Sequence, residues 1–266
     1  MSETPAPFWN RKTLMLITGA SQGIGEYWAV EFSKKLAKDS VVLLWARSEA
    51  GLEATKNKVI AANPGVVVKT HAVDLSKAKG SEFNSYLSQI SGSEFELCFL
   101  VNNAGSIGDV KKFAQDMKDE QEWNDYLALN VVSFATLTSS FVSLYPPSPS
   151  RETCILNVTS LAAVQPMPSF GFYCVGKAAR ESYLKVLATE NPQLNALSYS
   201  PGPIHTNMVE TILTSTASSE IKSGFTAMRD GNSFVTLAQT TDKVIKALTD
   251  RSYVSPGRID FYDRPE

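Results

Sequence analysis

Leu14-Met15-Leu16-Ile17-Thr18-Gly19-Ala20-Ser21-Gln22-Gly23-Ile24-Gly25 reads as an apolar strand, a glycine turn and the opening of a helix. Its apolar residues are consecutive rather than alternating, the pattern of a parallel strand buried on both faces. Beyond the turn, Trp28, Val30, Phe32 and Leu36 continue with helical character. The glycines are spaced Gly-x-x-x-Gly-x-Gly, which permits a tight turn and lets backbone amides at a helix N-terminus approach a pyrophosphate. Three glycines also suit an ordinary helix start, but a turn after the first strand is where a dinucleotide fold carries them.

The same unit recurs along the chain. Val41-Val42-Leu43-Leu44 precedes a helix from about Ser48, and Val66 to His71 precedes another from about Ser76. Further strands are expected at Leu97 to Val101, Thr153 to Val158 and Leu194 to Tyr199, separated by stretches long enough for crossover helices. The fold class is therefore α/β: a single-domain, Rossmann-type, doubly wound parallel sheet flanked by helices on both faces. One domain spanning 1–266 is expected, because the Pro146-Pro147-Ser148-Pro149-Ser150 stretch reads as a surface loop rather than a linker. The Ser/Thr/Gly-rich segment 208–234 lies after the sixth strand and reads as mobile helices over a ligand crevice, with a plain surface excursion as the alternative.

Composition narrows the function classes. With 43% hydrophobic and 20% charged residues the chain sits among soluble globular proteins. No apolar run is expected to reach the roughly 18 to 20 residues of a membrane span. The polar start Met-Ser-Glu-Thr-Pro-Ala-Pro lacks a secretory pattern, so a cytoplasmic location is expected. Cys98, Cys154 and Cys174 are odd in number and widely spaced, which favours reduced thiols over disulfides or a metal site. A net charge of −2 without a basic block gives a nucleic-acid backbone nothing to bind. His71 and His205 are the only histidines and lie far apart, so neither a serine-hydrolase triad nor a His-zinc site is expected.

In such a sheet ligands bind beyond the carboxyl ends of the strands, so the residues just after each apolar run carry the chemistry. Gly19, Ser21, Gln22, Gly23, Ile24 and Gly25 are the expected pyrophosphate loop. After the second strand, Ala46-Arg47 has no carboxylate for a ribose 2′-hydroxyl but an arginine suited to a 2′-phosphate, so NADPH is expected over NADH. Asp74 either accepts from an adenine amino group or caps the next helix, and both roles are compatible. Asn102-Asn103-Ala104-Gly105 after the fourth strand reads as cofactor wall or as a turn.

Tyr173 and Lys177 are four apart in a segment of helical character, Ser169 to Thr189, and so share a face. A phenol titrates near pH ~10, and a neighbouring ammonium makes it a more usable acid at neutral pH. The pair alone is an ordinary amphipathic pattern. Ser160 precedes Tyr173 by thirteen residues at the end of a strand, where its hydroxyl could bond a substrate carbonyl oxygen or merely cap a turn.

Taken in order, Gly19-x-x-x-Gly23-x-Gly25, Asn102-Asn103-Ala104-Gly105, Asn130, Ser160, Tyr173-x-x-x-Lys177 and Pro201-Gly202 resemble the short-chain dehydrogenase/reductase family over nearly the whole chain. The resemblance implies hydride transfer between a nicotinamide and a carbonyl carbon, with Tyr173 as proton donor, Ser160 orienting the carbonyl, and Lys177 holding the ribose and lowering the tyrosine pKa. Asn130 would support a water-linked proton relay. Leu75 would join the adenine side of the cofactor site, and Pro201, Gly202, Ile204 and Thr206 the nicotinamide end. Phe172 to Arg180, Tyr199 to Pro203, Ala46-Arg47 and Ile259-Asp260-Phe261-Tyr262-Asp263 resemble the sepiapterin reductase branch of that family. This implies a pterin-type substrate anchored by Asp260, with Ser160, Tyr173 and Gly202 also in contact with it; the plain reading of Asp260 is an exposed tail charge. Gln22 departs from the basic residue common there, which shifts the 2′-phosphate onto Arg47. Gln165 to Pro168 would line the substrate pocket, and pairing through the helices of Asn130 and Tyr173 implies a homodimer. A broader carbonyl or diketone reductase would need Ser160, Tyr173 and Lys177 but not Asp260, and a non-catalytic dinucleotide sensor would need none of them.

Overall fold

Each consecutive apolar run is divided between two cores by the alternation of a strand, and this builds the layers. The computed structural model describes residues 6–263, so most of the N-terminal stretch used for the localisation reading, residues 1–5, lies outside the described residues. The strands are β1 Thr13–Thr18, β2 Val41–Ala46, β3 Val67–Ala72, β4 Leu97–Asn102, β5 Glu152–Val158, β6 Asn195–Ser200 and β7 Gly257–Asp260. They form one sheet in the order β3-β2-β1-β4-β5-β6-β7, every neighbouring pair parallel. The helices are α1 Gly23–Ser33, α2 Glu49–Ala62, α3 Gly80–Leu87, α4 Glu120–Leu127, α5 Ser133–Leu144, α6 Gly171–Glu190, α7 Asn207–Ser215, α8 Ser219–Asp230 and α9 Leu237–Asp250.

On one face Met15, Ile17, Val42, Leu44 and Phe99 pack against Trp28 and Phe32 of α1, Val59 of α2 and Leu248 of α9. On the other, Leu14, Leu16, Leu43, Trp45 and Leu100 meet Phe83 of α3, Phe141 of α5 and Leu184 of α6. Trp28 also donates to Thr241 of α9 at 3.0 Å, which satisfies its buried indole N–H.

Four expectations need correction. β3 is not buried on both faces: it is an edge strand, with Val67 exposed. The helix expected from about Ser76 begins at Gly80, because the Asp74 carboxylate accepts from the Ser76 amide at 3.1 Å and its hydroxyl at 2.7 Å, folding the chain into a turn first. Asp74 thus caps a turn rather than a helix. β7 is a seventh strand where no strand was expected. Finally, the helical run Glu120–Leu144 is long and apolar enough to cross a membrane by length and composition. Its Phe134, Leu137 and Phe141 are instead spent on the second core.

Candidate active site

The strand order reverses between β1 and β4, so their carboxyl ends leave a crevice. Asn103 closes its floor. Its side-chain amide donates to the Thr18 carbonyl at 2.9 Å and the Gly19 carbonyl at 3.2 Å. The Thr18 hydroxyl in turn accepts from the amides of Asn103 and Ala104, at 3.1 and 3.0 Å. Gly19 sits at φ +67°, and a Cβ there would meet the Asn103 amide nitrogen at 2.8 Å. Gly23 differs: φ is +59°, and a Cβ would find nothing within 4 Å. Open space over the first amides of α1, whose N-cap Gln22 makes no side-chain bond to them, fits a pyrophosphate.

Toward β2, Arg47 is exposed and its charge reaches Asp74. The Asp74 carboxyl is held below the ordinary range by its bond from Ser76, with Lys77 and Arg47 adding to the effect. Ser21 packs beside Gly51 at the start of α2, and the Thr55 hydroxyl ties α2 to the Ala20 carbonyl at 2.9 Å. Leu75 is buried in the second core. Asn102 is also buried, its amide donating to Thr138 at 2.9 Å, so Asn103 rather than Asn102 shows its side chain to the crevice.

Farther along, a cavity of about 310 Å³ brings together Ile24, Asn103, Gly105, Ser160, Tyr173, Lys177, Pro201, Gly202, Ile204, Thr206 and Asp260. Met208, Val209 and Ile212 of α7 and Phe225 and Met228 of α8 form its apolar wall, so the 208–234 segment is helical and faces the crevice. Of the Gln165 to Pro168 loop only Met167 lines it. A larger groove of about 730 Å³ lies at the opposite ends of the strands, where Arg11 and Arg251 are paired with Glu152. It contains none of the expected catalytic, cofactor or substrate residues.

α6 starts at Gly171 and presents Tyr173 and Lys177 on one face, as their spacing requires. Lys177 Nζ lies 5.5 Å from the Tyr173 ring centre and donates to the Val158 carbonyl at 2.6 Å. Burial pushes the Tyr173 phenol above its ordinary value, while the Ser160 hydroxyl and then the Arg180 guanidinium pull it back. Burial pushes the Lys177 ammonium well below its ordinary value; Arg180 adds to this and Glu181 opposes it. Arg180 is thus a second cation that acts on the phenol, beside Lys177, whose own charge burial disfavours.

Arg180 was missed as a site residue. It is buried; Nε donates to the Asn130 carbonyl, Nη2 donates to the Ala104 carbonyl at 2.7 Å, and the guanidinium lies 5.1 Å from the Phe134 ring centre. Burial lowers its pKa to about 10, with Tyr126 and Tyr173 pulling it up. Asn130 lies in a π-helical turn, Ala128–Val132, which exposes its carbonyl to this bond. Its side chain accepts from the Ser106 amide at 2.9 Å and donates to the Tyr126 carbonyl at 3.0 Å. Asn130 therefore ties Ser106 to this turn and, through its carbonyl, to Arg180 of α6. The signal for Arg180 was present: Tyr173, Lys177, Arg180 and Leu184 follow a single helical face.

At the far end Asp260 of β7 is buried, and its Oδ1 accepts from the Tyr262 amide at 3.1 Å. Oδ2 is buried without a hydrogen-bond partner, beside the cavity. The Asp263 carboxylate caps the Asp260 amide at 2.7 Å, and Lys243 of α9 straps the tail through the Phe261 carbonyl at 2.5 Å. Asp260 is thus held within the fold rather than carried on an exposed tail.

The family model described as short chain dehydrogenase matches residues 13–217. Sepiapterin reductase of Xenopus laevis is 36% identical over 251 residues, covering 94% of this chain and 95% of the relative. That of Meriones unguiculatus is 34% identical over 256 residues, covering 93% and 95%. A benzil reductase of Bacillus subtilis is 26% identical, covering 76% and 79%. Among solved structures, a short chain dehydrogenase from Salmonella enterica superposes with a TM-score of 0.77 at 22% identity, covering 98% of this chain and all of that one (100%). A putative short chain dehydrogenase from Escherichia coli complexed with NADPH gives 0.75 at 21%, covering 98% and 100%.

Proposed function

Given that the chain belongs to the short-chain dehydrogenase/reductase family, oxidoreductases that bind a nicotinamide dinucleotide, we propose that it uses NADPH to reduce the side-chain carbonyl of a pterin such as sepiapterin. The observation that carries this reading is the meeting of Ser160, Tyr173, Lys177 and Asp260 in one cavity of about 310 Å³. The near full-length similarity to sepiapterin reductases supports it.

The cofactor, when bound, supplies the hydride. The protein's part is to hold the carbonyl and deliver a proton. The Ser160 hydroxyl accepts from the Ala162 amide at 3.2 Å, which leaves its hydrogen free to be donated. The hydroxyl donates to the substrate oxygen and supports the charge that develops on it. Tyr173 gives its phenolic proton to the same oxygen. Lys177, 5.5 Å from the ring centre, stabilises the phenolate left behind together with the Arg180 charge, and Lys177 also holds the ribose side of the site. Asp260 Oδ2, without a partner in the protein, accepts from the 2-amino-4-oxo edge of a pterin. Arg47 takes the 2′-phosphate, and the whole reaction is carried by one domain. A cytoplasmic homodimer completes the reading; the exposed Val175 and Val186 on one stripe of α6 and Val132 beside α5 support the pairing alone.

The second reading, a carbonyl or diketone reductase of wider range, is favoured by the apolar wall of Met167, Phe170, Met208 and Phe225. NADPH oxidation with sepiapterin and with a small diketone separates the two. Tyr173→Phe is expected to lose both activities by 100-fold or more. Asp260→Ala is expected to lose mainly the pterin. Equal turnover of both substrates regardless of Asp260 would leave only the general reductase.

A further inference from the structure

Arg258 lies two residues before Asp260 on β7, so the two side chains share a face of the sheet. Its guanidinium reaches three elements. Nε donates to Glu181 Oε1 at 3.2 Å, Nη2 donates to the Ser160 carbonyl at 3.3 Å, and Nη2 stands 3.8 Å from Asp260 Oδ2. Glu181 is buried on α6, four residues after Lys177, and the same Oε1 accepts from the Thr159 hydroxyl at 2.6 Å. One arginine therefore spans the helix of Tyr173 and Lys177, the turn of Ser160 and the strand of Asp260.

A planar fork held at Nε and Nη2 has little freedom, and Nη2, bonded to the Ser160 carbonyl, is also the corner that faces Asp260. Glu181 and the Ser160 carbonyl fix the guanidinium, and the fixed guanidinium lies beside Asp260 Oδ2, a buried carboxylate oxygen without a hydrogen bond among the described residues. At 3.8 Å it is too far to consume that oxygen as an acceptor, yet near enough to attract the carboxylate and hold its present rotamer. The Ser160 turn does not depend on it, because the Ser160 carbonyl also accepts from the Ala163 amide at 3.0 Å.

We propose that Arg258, moored by Glu181, is a positioning residue that fixes Asp260 for substrates with a two-donor edge such as a 2-amino-4-oxopteridine, and thereby sets selectivity for them. This inference rests on the pterin reading of the cavity. It adds that the anchor works only as a pair, with Asp260 touching the substrate and Arg258 acting through Asp260.

The test is steady-state kinetics with sepiapterin and a small diketone on wild type, Arg258→Met, Arg258→Lys, Asp260→Ala and the Arg258→Met/Asp260→Ala double variant. Arg258→Met is expected to raise KM for sepiapterin about tenfold or more with kcat within about threefold, and to leave the diketone KM within about twofold, by the weight of a charged hydrogen-bond neighbour. Arg258→Lys keeps the charge without the fork and is expected to recover part of the loss. In the Asp260→Ala background Arg258→Met is expected to add less than about twofold, the signature of coupled residues. Fully additive losses, or an equal loss on both substrates, would mean a general structural role and overturn the proposal. Sepiapterin turnover that is lost in Asp260→Ala but unchanged in Arg258→Met overturns it while sparing the pterin reading. No sepiapterin turnover by wild type removes both.

Discussion

Lys177 is a cation in a place that disfavours cations. Burial and the Arg180 charge hold its ammonium well below the ordinary value, and Glu181 offsets only part of that. Between the folded value and the ordinary one the unfolded chain binds more protons, so stability rises with pH across that window and the burden is fully present below it. Lys177→Met removes the charge and loses one hydrogen bond, to the Val158 carbonyl. The expected result at pH 7 is an enzyme at least 100-fold slower yet more stable by about 1 kcal/mol, the stability gain fading as pH approaches ~10.5. Urea denaturation at the two pH values checks it, and a variant less stable than wild type at pH 7 would show that the burial cost had been overstated. Residues with a distinctive partner at fixed spacing, such as Tyr173 with Lys177, were legible in the sequence. For Arg180 only its place on the helical face of Tyr173 was legible, and Arg258 was not legible at all: an arginine on a helix or near a terminus is usually a surface residue, and only tertiary packing shows what its fork holds.

At the scale of elements, α6 meets α4 through a glycine. A Cβ on Gly176 would lie 2.5 Å from the Tyr126 hydroxyl oxygen and 2.9 Å from Cε1. Tyr126 has little room to retreat, because its ring sits 5.2 Å from that of Phe172 within a buried cluster with Met117. Gly176→Ala gains about 1 kcal/mol of helix propensity and loses more to overpacking. A net destabilisation of about 1–2 kcal/mol is expected, read as a lower thermal midpoint, and a rise in midpoint would mean that the two helices part without cost. Elements whose cause is local were legible: six apolar runs became six strands, and Ser48 caps α2 by accepting from the Gly51 amide at 3.1 Å. β7 was not, because Gly257-Arg258-Ile259-Asp260 has a single large apolar side chain and becomes a strand only by pairing with β6. The late start of α3 has the opposite origin, a strong local turn at Asp74 outcompeting a helix.

For the whole molecule, alternation of strands and helices was enough to read a doubly wound sheet, whereas the reversal of order that makes the crevice is a matter of topology and lies in no single segment. That crevice exists only in the folded chain, so a ligand bound there should stabilise every element together. At a hundredfold excess over Kd a ligand adds about 2.7 kcal/mol, which for a chain of this size raises the thermal midpoint by roughly 5–10 °C. NADPH is expected to give a shift of that order and NADH a smaller one at equal concentration, because the proposed role of Arg47 is to meet the 2′-phosphate and the second strand ends in no carboxylate. Arg47→Ala should shrink the NADPH shift to that of NADH while leaving the NADH shift unchanged. Arg47 is exposed and makes no hydrogen bond that the fold depends on, so the midpoint without ligand should stay within about 1 °C, as for a surface substitution. Equal shifts from the two dinucleotides in wild type would remove the 2′-phosphate role from Arg47. Loss of both shifts in the variant would instead make Arg47 a general contact of the cofactor.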